Sequence, residues 1–343
     1  MKALVLKEYN NFSIEDVPVP EVGADDVLIR VKACAICGSD VHGMDGSTGR
    51  RIPPIIMGHE GSGIIEKKGA NVSEYMIGEK VTFDSTIYCG SCAYCRQGRV
   101  NLCDNRRVLG VSCDDYRQNG AFAEYIAVPK HILYKVPDGV SFERAAMVEP
   151  LSIAVHAVSR ADIAVNDTAV VVGAGMIGLL VIQVLKISGC GKIIAVDIDS
   201  NKLDMALSFG AHEIIKSDDV DAVSEIKKIT RNRGADIAFE AVGISGTIQT
   251  AINSLKKGGQ LTLIGNLSPM IDLPLQKVVT GEIAINGSCA SAGEYGVCLE
   301  LIEKGAVDVD AFISRVIPLE EAGDYFHRLY NKEAGLMKVI VKP

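Results

Sequence analysis

The chain has 343 residues, and a prior of roughly 150 residues per domain predicts two domains. Its content of 48% hydrophobic and 23% charged residues is that of a globular protein whose cores need no disulfide staples. The net charge of −8 argues against nucleic acid as a partner, because phosphate binding needs a basic face.

No targeting segment is visible, since the apolar stretch near the start is too short for a signal-peptide core. The mostly apolar residues 168–185 are long enough for a membrane span. However, the β-branched residues there come first, then a group of glycines, then helix formers. That order favours a buried strand running into a buried helix. We therefore expect a cytoplasmic protein that binds neither membranes nor nucleic acid.

The residues up to about 150 form short strand-like runs separated by Gly, Pro, Asn and Asp. These strands are predicted at 3–6, 26–33, 61–67, 80–83 and 121–128. From about Ala161 strands alternate with helices, which predicts βαβ units and a parallel sheet. Its strands are predicted at 169–172, 192–197, 213–215, 236–240, 260–264 and 283–288, and its helices at 177–188, 201–209, 222–230 and 247–255. The tail is predicted to add helices at 295–304 and 319–330 and a strand at 338–341.

A glycine-rich motif joins the first strand of this second part to its first helix. Gly173-Ala174-Gly175-Met176-Ile177-Gly178 fits G-x-G-x-x-G, which alone is a weak signal but is strengthened by this strand–turn–helix context. Gly173 would permit the tight turn, Gly175 the approach of a pyrophosphate, and Gly178 close packing of the helix on the strand. The helix N-terminus would offer N–H groups to the phosphates.

Asp197 ends the next predicted strand, 19 residues beyond the last glycine of the motif. An acid at this place accepts hydrogen bonds from the ribose hydroxyls and repels a 2′-phosphate, so it predicts NAD rather than NADP. A solvated acid capping the following helix is the structural alternative. Lys202 is a further candidate for contact with the same ribose, and the alternative is an ordinary surface lysine.

Four of the ten cysteines lie within fifteen residues, as Cys89, Cys92, Cys95 and Cys103. In a secreted protein such cysteines would suggest disulfides, but without a signal peptide the pattern is more typical of a metal site. Four thiolates form a closed tetrahedral zinc site with no position left for a substrate. The sequence therefore predicts a structural zinc ion in this segment.

A second set of metal-ligand residues is dispersed along the first part: Cys37, His59, Glu60 and Glu149. Each of them alone also suits a purely structural role. Together, in one domain beside a nucleotide-binding domain, they suggest a catalytic zinc site, which typically has three protein ligands and one open position.

Taken together, these motifs resemble the zinc-containing medium-chain dehydrogenase/reductase superfamily, in its sorbitol (polyol) dehydrogenase-like branch. The resemblance covers essentially the whole chain in the same motif order. The glutamate of Glu149-Pro150-Leu151-Ser152 is typical of the polyol branch, where other zinc alcohol dehydrogenases have cysteine. The resemblance implies an α/β fold: a GroES-like β-rich catalytic domain over 1–150 and 290–343, and a Rossmann domain with a doubly wound parallel sheet over 151–289. It also implies a homodimer or homotetramer.

For the chemistry, the resemblance implies NAD-linked oxidation of a secondary alcohol with a catalytic and a structural zinc. Ser39 and His42 would relay the hydroxyl proton, while Glu60 would be either a direct zinc ligand or a residue just behind it. Ala290 and Ser291 stand where sorbitol dehydrogenases have an Arg-Tyr pair for polyol hydroxyls, which weakens sorbitol itself as the substrate. Polyols, polyol phosphates and vicinal diols remain open. The alternatives are an L-threonine 3-dehydrogenase-like enzyme, a zinc-free reductase of the superfamily, or a non-catalytic zinc- and NAD-binding protein.

Overall fold

The structure is a computed structural model that describes residues 1–343. Its strands are β1 (Lys2–Glu8), β2 (Asn11–Asp16), β3 (Asp26–Ala35), β4 (Ile55–Ile56), β5 (Glu60–Lys68), β6 (Lys80–Phe83), β7 (Thr86–Ile87), β8 (Arg107–Val108), β9 (Val111–Ser112), β10 (Arg117–Gln118), β11 (Tyr125–Pro129), β12 (Leu133–Lys135), β13 (Thr168–Val172), β14 (Lys192–Asp197), β15 (Glu213–Lys216), β16 (Ala235–Glu240), β17 (Leu255–Leu263), β18 (Ala284–Gly287), β19 (Ile313–Pro318) and β20 (Lys338–Lys342). Its helices are α1 (Gly38–Val41), α2 (Ala93–Arg96), α3 (Phe142–Ala146), α4 (Val148–Ser159), α5 (Met176–Ile187), α6 (Ser200–Phe209), α7 (Ala222–Ile229), α8 (Ser245–Ser254), α9 (Leu275–Gly281), α10 (Tyr295–Glu303) and α11 (Ala322–Tyr330).

The chain divides into two compact units. The first comprises Met1–Glu149, Tyr295–Gly305 and Val309–Pro343, and the second comprises Pro150–Glu294 and Ala306–Asp308. The residue limits that we expect for the catalytic domain (1–150 with 290–343) and the dinucleotide-binding domain (151–289) remain predictions.

The first unit is built around a seven-stranded sheet with the order β12-β6-β5-β3-β20-β19, in which β11 also pairs with β3. Strand β3 holds this sheet together because it pairs antiparallel with β5, β11 and β20. Strand β3 lies so close to β5 that a Cβ at Gly63 would be 2.2 Å from the carbonyl oxygen of Arg30. Only glycine, which has no Cβ, avoids this clash. Aliphatic and aromatic side chains such as Phe83 and Phe122 fill the core.

The second unit contains a six-stranded sheet with the order β15-β14-β13-β16-β17-β18, in which every neighbouring pair is parallel. Central strands of parallel sheets are covered on both faces and are nearly continuous apolar runs, as in the buried run 169–172 of β13. The order reverses between β13 and β16, and ligands of open α/β sheets bind beside such a switch point at the carboxyl ends of the strands. The glycine motif follows β13 at this edge.

Most predicted elements lie close to where we expect them, with several differences. The strand predicted at 121–128 begins only at Tyr125, because the residues before it turn and contribute only a single bridge, between Ala123 and Ala3. The elements that the sequence does not predict include strands β2 and β19 and helices α3, α4 and α9. None of the helices combines the length and the apolar character needed to cross a lipid bilayer.

Candidate active site

Strand pairing brings Cys37, His59 and Glu60 together. Ala35 at the end of β3 pairs with Glu60 at the start of β5, so the residues just beyond one strand meet those just before the other. One ligand atom from each of Cys37, His59 and Glu60 lies within 4.8 Å of the others. We call these three residues the mixed-ligand cluster. His59 and Glu60 are buried, whereas Cys37 is partly accessible.

Cys37 is the N-cap residue of the short helix α1. Its Sγ accepts hydrogen bonds from the backbone N–H of Ser39 at 3.4 Å and from the Ser39 hydroxyl at 3.3 Å. Metals bind cysteine through this sulfur, in its thiolate form. The hydroxyl of Ser39 is thus directed at Cys37 and not at His42. Both Ser39 and His42 are exposed.

A buried carboxylate that the sequence analysis assigned no role lies behind His59. Asp40 is fully buried, and its Oδ2 is 3.3 Å from Nδ1 of His59 while its Oδ1 is 2.6 Å from a guanidinium nitrogen of Arg51. Burial alone would raise the pKa of Asp40, but the charges of His59 and Arg51 outweigh it and lower that pKa to about 2. Asp40 is thus an anion beside the His59 ring, at the place where carboxylates behind metal-binding histidines commonly lie, although neither its Oδ2 nor Nδ1 of His59 has a hydrogen-bond partner.

Glu60 is held in the same way by a lysine from the far end of the chain. Nζ of Lys338, which is itself 1% exposed, lies 2.6 Å from Oε2 of Glu60 and also donates to the carbonyl of Ile36 at 3.2 Å. Oε1 of Glu60 is buried without a hydrogen-bond partner. An acceptor oxygen left bare in a buried site fits a metal ligand, because a cation would satisfy it.

Glu149 lies in the first turn of α4 and is not part of the mixed-ligand cluster. Its Oε1 accepts a hydrogen bond from the Ser85 hydroxyl at 3.2 Å. Burial raises the pKa of Glu149 to about 7, with a smaller opposing effect of His59 and a further increase caused by Glu60. Glu149 therefore shares the electrostatic environment of His59 and Glu60, although its carboxylate stands outside their immediate group.

The four cysteines of the segment 89–103 converge as well. Their Sγ atoms all lie within 4.8 Å of one another, and those of Cys89 and Cys95 are 4.0 Å apart. Four thiolates at 2.3 Å from a tetrahedrally coordinated zinc ion would be about 3.8 Å apart, so the spacing fits the ion. Hydrogen bonds from the backbone of Ser91 and Cys92 lower the pKa of the Cys89 thiol, as a thiolate ligand requires.

The glycine motif has the geometry that its sequence predicts. Gly173 has φ +97°, which is left-handed backbone, and a Cβ on Gly178 would lie 1.8 Å from the carbonyl oxygen of Gly173. Gly175 is the N-cap residue of α5, and a Cβ placed on it would meet nothing within 4 Å. The space above Gly175 is open to a ligand, and Met176 and Ile177 form the first turn of the helix beneath it.

Asp197 ends β14 beside this motif. Its Oδ2 accepts the N–H of Ala174 at 2.6 Å, and its Oδ1 accepts the N–H groups of Ile198 and Asp199. The carboxylate thus connects the glycine turn to the segment after β14. Lys202 lies 3.9 Å from Asp199, so the contact that the structure shows is a surface ion pair.

Comparisons with known proteins agree with this architecture. Residues 23–138 match the family model described as the alcohol dehydrogenase GroES-like domain, and residues 177–304 match the one described as zinc-binding dehydrogenase. Sorbitol dehydrogenase of Bacillus subtilis (strain 168) is 34% identical and covers 100% of this chain and 97% of its own length. D-arabitol-phosphate dehydrogenase of Enterococcus avium is 32% identical over 97% of this chain and 94% of its own.

Among solved structures, a zinc-binding dehydrogenase of Sinorhizobium meliloti 1021 bound to NADP superimposes with a TM-score of 0.92 at 32% identity, covering 100% of this chain and 99% of its own. The chain therefore belongs to the zinc-containing medium-chain dehydrogenase/reductase family, in its polyol dehydrogenase branch. It is an oxidoreductase of small-molecule alcohols that uses zinc and a nicotinamide dinucleotide. The expected fold, a GroES-like domain with a Rossmann-type parallel sheet, is confirmed.

Proposed function

We propose that the chain oxidises a secondary alcohol with NAD and that Cys37, His59 and Glu60 hold the catalytic zinc, with Glu149 as a further ligand. The convergence of the first three side chains carries the proposal, because a thiolate, an imidazole and a carboxylate are the donors that zinc prefers. Cys37 keeps the site partly accessible, as an open coordination position requires.

When bound there, zinc supplies Lewis-acid chemistry that lowers the pKa of a hydroxyl group. The protein's own task is to move the proton and to fix its ligands. Ser39, which is exposed and next to Cys37, accepts the hydroxyl proton and passes its own through water to His42 and solvent. Positioned acid–base groups of this kind contribute roughly 10²–10⁴ in rate. A bound nicotinamide would supply the acceptor for the hydride that the alcohol carbon loses.

For Glu60, we propose the direct-ligand role through Oε1. Lys338 occupies Oε2, whereas Oε1 is buried and has no hydrogen-bond partner. Cys89, Cys92, Cys95 and Cys103 are proposed to hold the structural zinc, because they offer four thiolates and no open position.

We propose NAD as the cofactor, held by Gly173, Gly175, Met176, Ile177 and Gly178 at the helix N-terminus and by Asp197 at the adenosine ribose. The carboxylate of Asp197 would repel a 2′-phosphate. The NADP found in the Sinorhizobium meliloti relative argues for testing both cofactors. Lys202 is assigned no more than a supporting role, since its contact is with Asp199.

The substrate is proposed to be a polyol, a polyol phosphate or a vicinal diol. Relatives named for sorbitol and for arabitol phosphate are about equally similar to this chain, which supports the class and not one member. Ala290 and Ser291 at the positions of the Arg-Tyr pair argue against sorbitol itself. L-threonine is the alternative substrate, and a non-catalytic zinc- and NAD-binding protein is the alternative function.

Self-association as a dimer or tetramer is proposed to use the edge of the parallel sheet. Strand β18 pairs with β17 on one side only, and an unpaired edge can accept another strand. The chain segment that precedes β18 carries apolar side chains that are 62–87% exposed: Leu267, Met270, Leu275 and Val279. Exposed apolar patches mark association sites. Light scattering of Met270→Glu should reveal smaller particles, whereas Val165→Glu, at an equally exposed valine, should change nothing.

The test of the catalytic assignment is an NAD-reduction assay on zinc-loaded protein with polyols, polyol phosphates, 2,3-butanediol, simple alcohols and L-threonine. The wild type, Cys37→Ser and the matched Cys113→Ser are compared, each with and without a chelator. We expect activity on one of the polyol or diol classes that the chelator and Cys37→Ser abolish and Cys113→Ser retains. Chelator-resistant activity of Cys37→Ser would refute the zinc site. Turnover of L-threonine alone would support the alternative substrate. Absence of NAD reduction with every substrate, although zinc and NAD are bound, would support the non-catalytic function.

A further inference from the structure

Glu240, the last residue of β16, is a fully buried acid to which the proposed mechanism gives no role. Its carboxylate accepts the N–H of Val242 at 3.0 Å, the N–H of Gly243 at 2.8 and 3.0 Å, and the hydroxyl of Thr247 at 2.6 Å. All of these donors are neutral. Burying a carboxylate in this way is costly, and hydrogen bonds from several donors are what makes it tolerable.

The carboxylate fixes the loop that follows it onto the glycine motif. Glu240 pairs with Val172 at the end of β13, and the N–H of Ala241 donates to the carbonyl of Val172 at 2.9 Å. Val242 packs so closely on the motif that its Cγ2 is 2.6 Å from where a Cβ of Gly173 would be. The position of Val242 is thus tied to that of the first glycine of the motif.

The same residue reaches the loop after the next strand. The carbonyl of Glu240 accepts the N–H groups of Ile264 and Gly265 at 2.9 and 3.0 Å. Gly243, with φ +89°, abuts that loop so tightly that a Cβ would lie 2.4 Å from the N of Asn266. Glu240 therefore holds together the loops after β13, β16 and β17 at the carboxyl edge of the sheet.

We infer that Glu240 is a positioning residue for the dinucleotide: its buried carboxylate holds the 241–243 loop in the shape that the cofactor requires. Ligands of open parallel sheets bind at this edge, so the loops that Glu240 connects are those that a dinucleotide on the motif must meet. This inference rests on the proposed dinucleotide site at Gly173–Gly178.

The experiment compares Glu240→Gln with Asp236→Asn. Both acids lie on β16 and are buried, but Asp236 is at its amino end, where it accepts the N–H of Thr168 and pairs with Lys256. Glutamine keeps the shape but places an NH₂ group against a backbone N–H donor. We expect Glu240→Gln to raise the dissociation constant of NADH, measured by fluorescence, and the KM for NAD by about tenfold, with kcat at saturating NAD little changed. Asp236→Asn should lower the thermal midpoint without changing either constant.

If Glu240→Gln lowers the thermal midpoint but binds NADH like the wild type, the residue is merely structural and the inference fails while the dinucleotide site stands. If the wild type binds no NADH, the proposed site fails and the inference with it. If Glu240→Gln does not fold, Thr247→Val, which removes one donor and keeps the carboxylate, must raise the NADH dissociation constant measurably. An unchanged value in that folded variant would overturn the inference.

Discussion

Lys338 and Glu60, 278 residues apart in sequence, form an ion pair of 2.6 Å with both side chains at most 1% exposed. The ammonium group leaves one carboxylate oxygen of Glu60 without a hydrogen-bond partner. A buried pair of this kind adds little net stability by itself, but removing one partner leaves an uncompensated buried charge. The last strand thereby contributes to the mixed-ligand cluster through an electrostatic partner.

Replacing Lys338 by methionine should lower the free energy of unfolding by about 3 kcal/mol, because Glu60 would lose its only cationic side-chain partner. Urea unfolding of the chelator-treated protein measures the loss, because a zinc ion on Oε1 would itself compensate the charge of Glu60. Lys338→Arg keeps the charge and should cost clearly less. Equal stability of Lys338→Met and the wild type would show that the pair is energetically neutral.

Asp40→Asn should weaken zinc binding by about 10–100-fold, because the buried negative charge 3.3 Å from Nδ1 of His59 would be replaced by a neutral amide. Competition with a chromogenic chelator measures the affinity of the catalytic zinc. Asp45→Asn, at an acid in the same segment that is hydrogen-bonded to Ser47 and Tyr330, is the matched control and should bind zinc like the wild type. Full affinity in Asp40→Asn would argue against a role of Asp40 behind the metal.

Cys95→Ser should reduce the zinc content by about one ion per chain and expose the segment 89–103 to proteolysis, since that metal would supply local folding energy. Atomic absorption and limited trypsin digestion report the two effects. Cys298→Ser changes a buried cysteine outside the segment and should keep both ions. Unchanged zinc content in Cys95→Ser would contradict the four-thiolate site.

Asp197→Ala should raise the KM for NAD about tenfold and allow NADP to serve, because a ribose acceptor and a repulsive charge disappear together. Steady-state kinetics with both cofactors measure the change in preference. Asp199→Asn keeps a side chain that can cap α6 and should leave the preference as it is. Retained selectivity for NAD in Asp197→Ala would remove Asp197 from cofactor choice.

Acid should destabilise the second unit partly through Asp236. Burial would raise the pKa of Asp236, but Lys256, the Thr168 N–H and Arg233 lower it below its ordinary value of about 3.9. The unfolded chain therefore takes up a proton at higher pH than the folded one, so the contribution to stability is complete above that value and is lost as the pH falls through the lowered pKa. Asp236→Asn should show a flatter stability curve below about pH 5 in urea titrations. Parallel curves would show that Asp236 does not contribute.

Sequence patterns alone predicted those features that depend on contacts between residues close together in the chain. The glycine motif requires a left-handed Gly173 and a Gly178 without a side chain, and both demands follow from contacts within six residues. The spacing of the four cysteines likewise brings their sulfurs together within one short loop. The alternation of strands and helices predicted the parallel sheet. Each element could be recognised because the spacing of its apolar residues reflects which of its faces is buried.

The sequence by itself thus determined the class of fold, the turn of the dinucleotide motif and the composition of the cysteine cluster. The tertiary structure decided what surrounds the mixed-ligand cluster and the motif: Arg51 and Asp40 behind His59, Lys338 on Glu60, and Glu240 beneath the 241–243 loop. The reason is physical. Buried charges require partners, but any segment that folding brings near can provide them. The positions of two residues in the sequence therefore do not reveal that their charges pair.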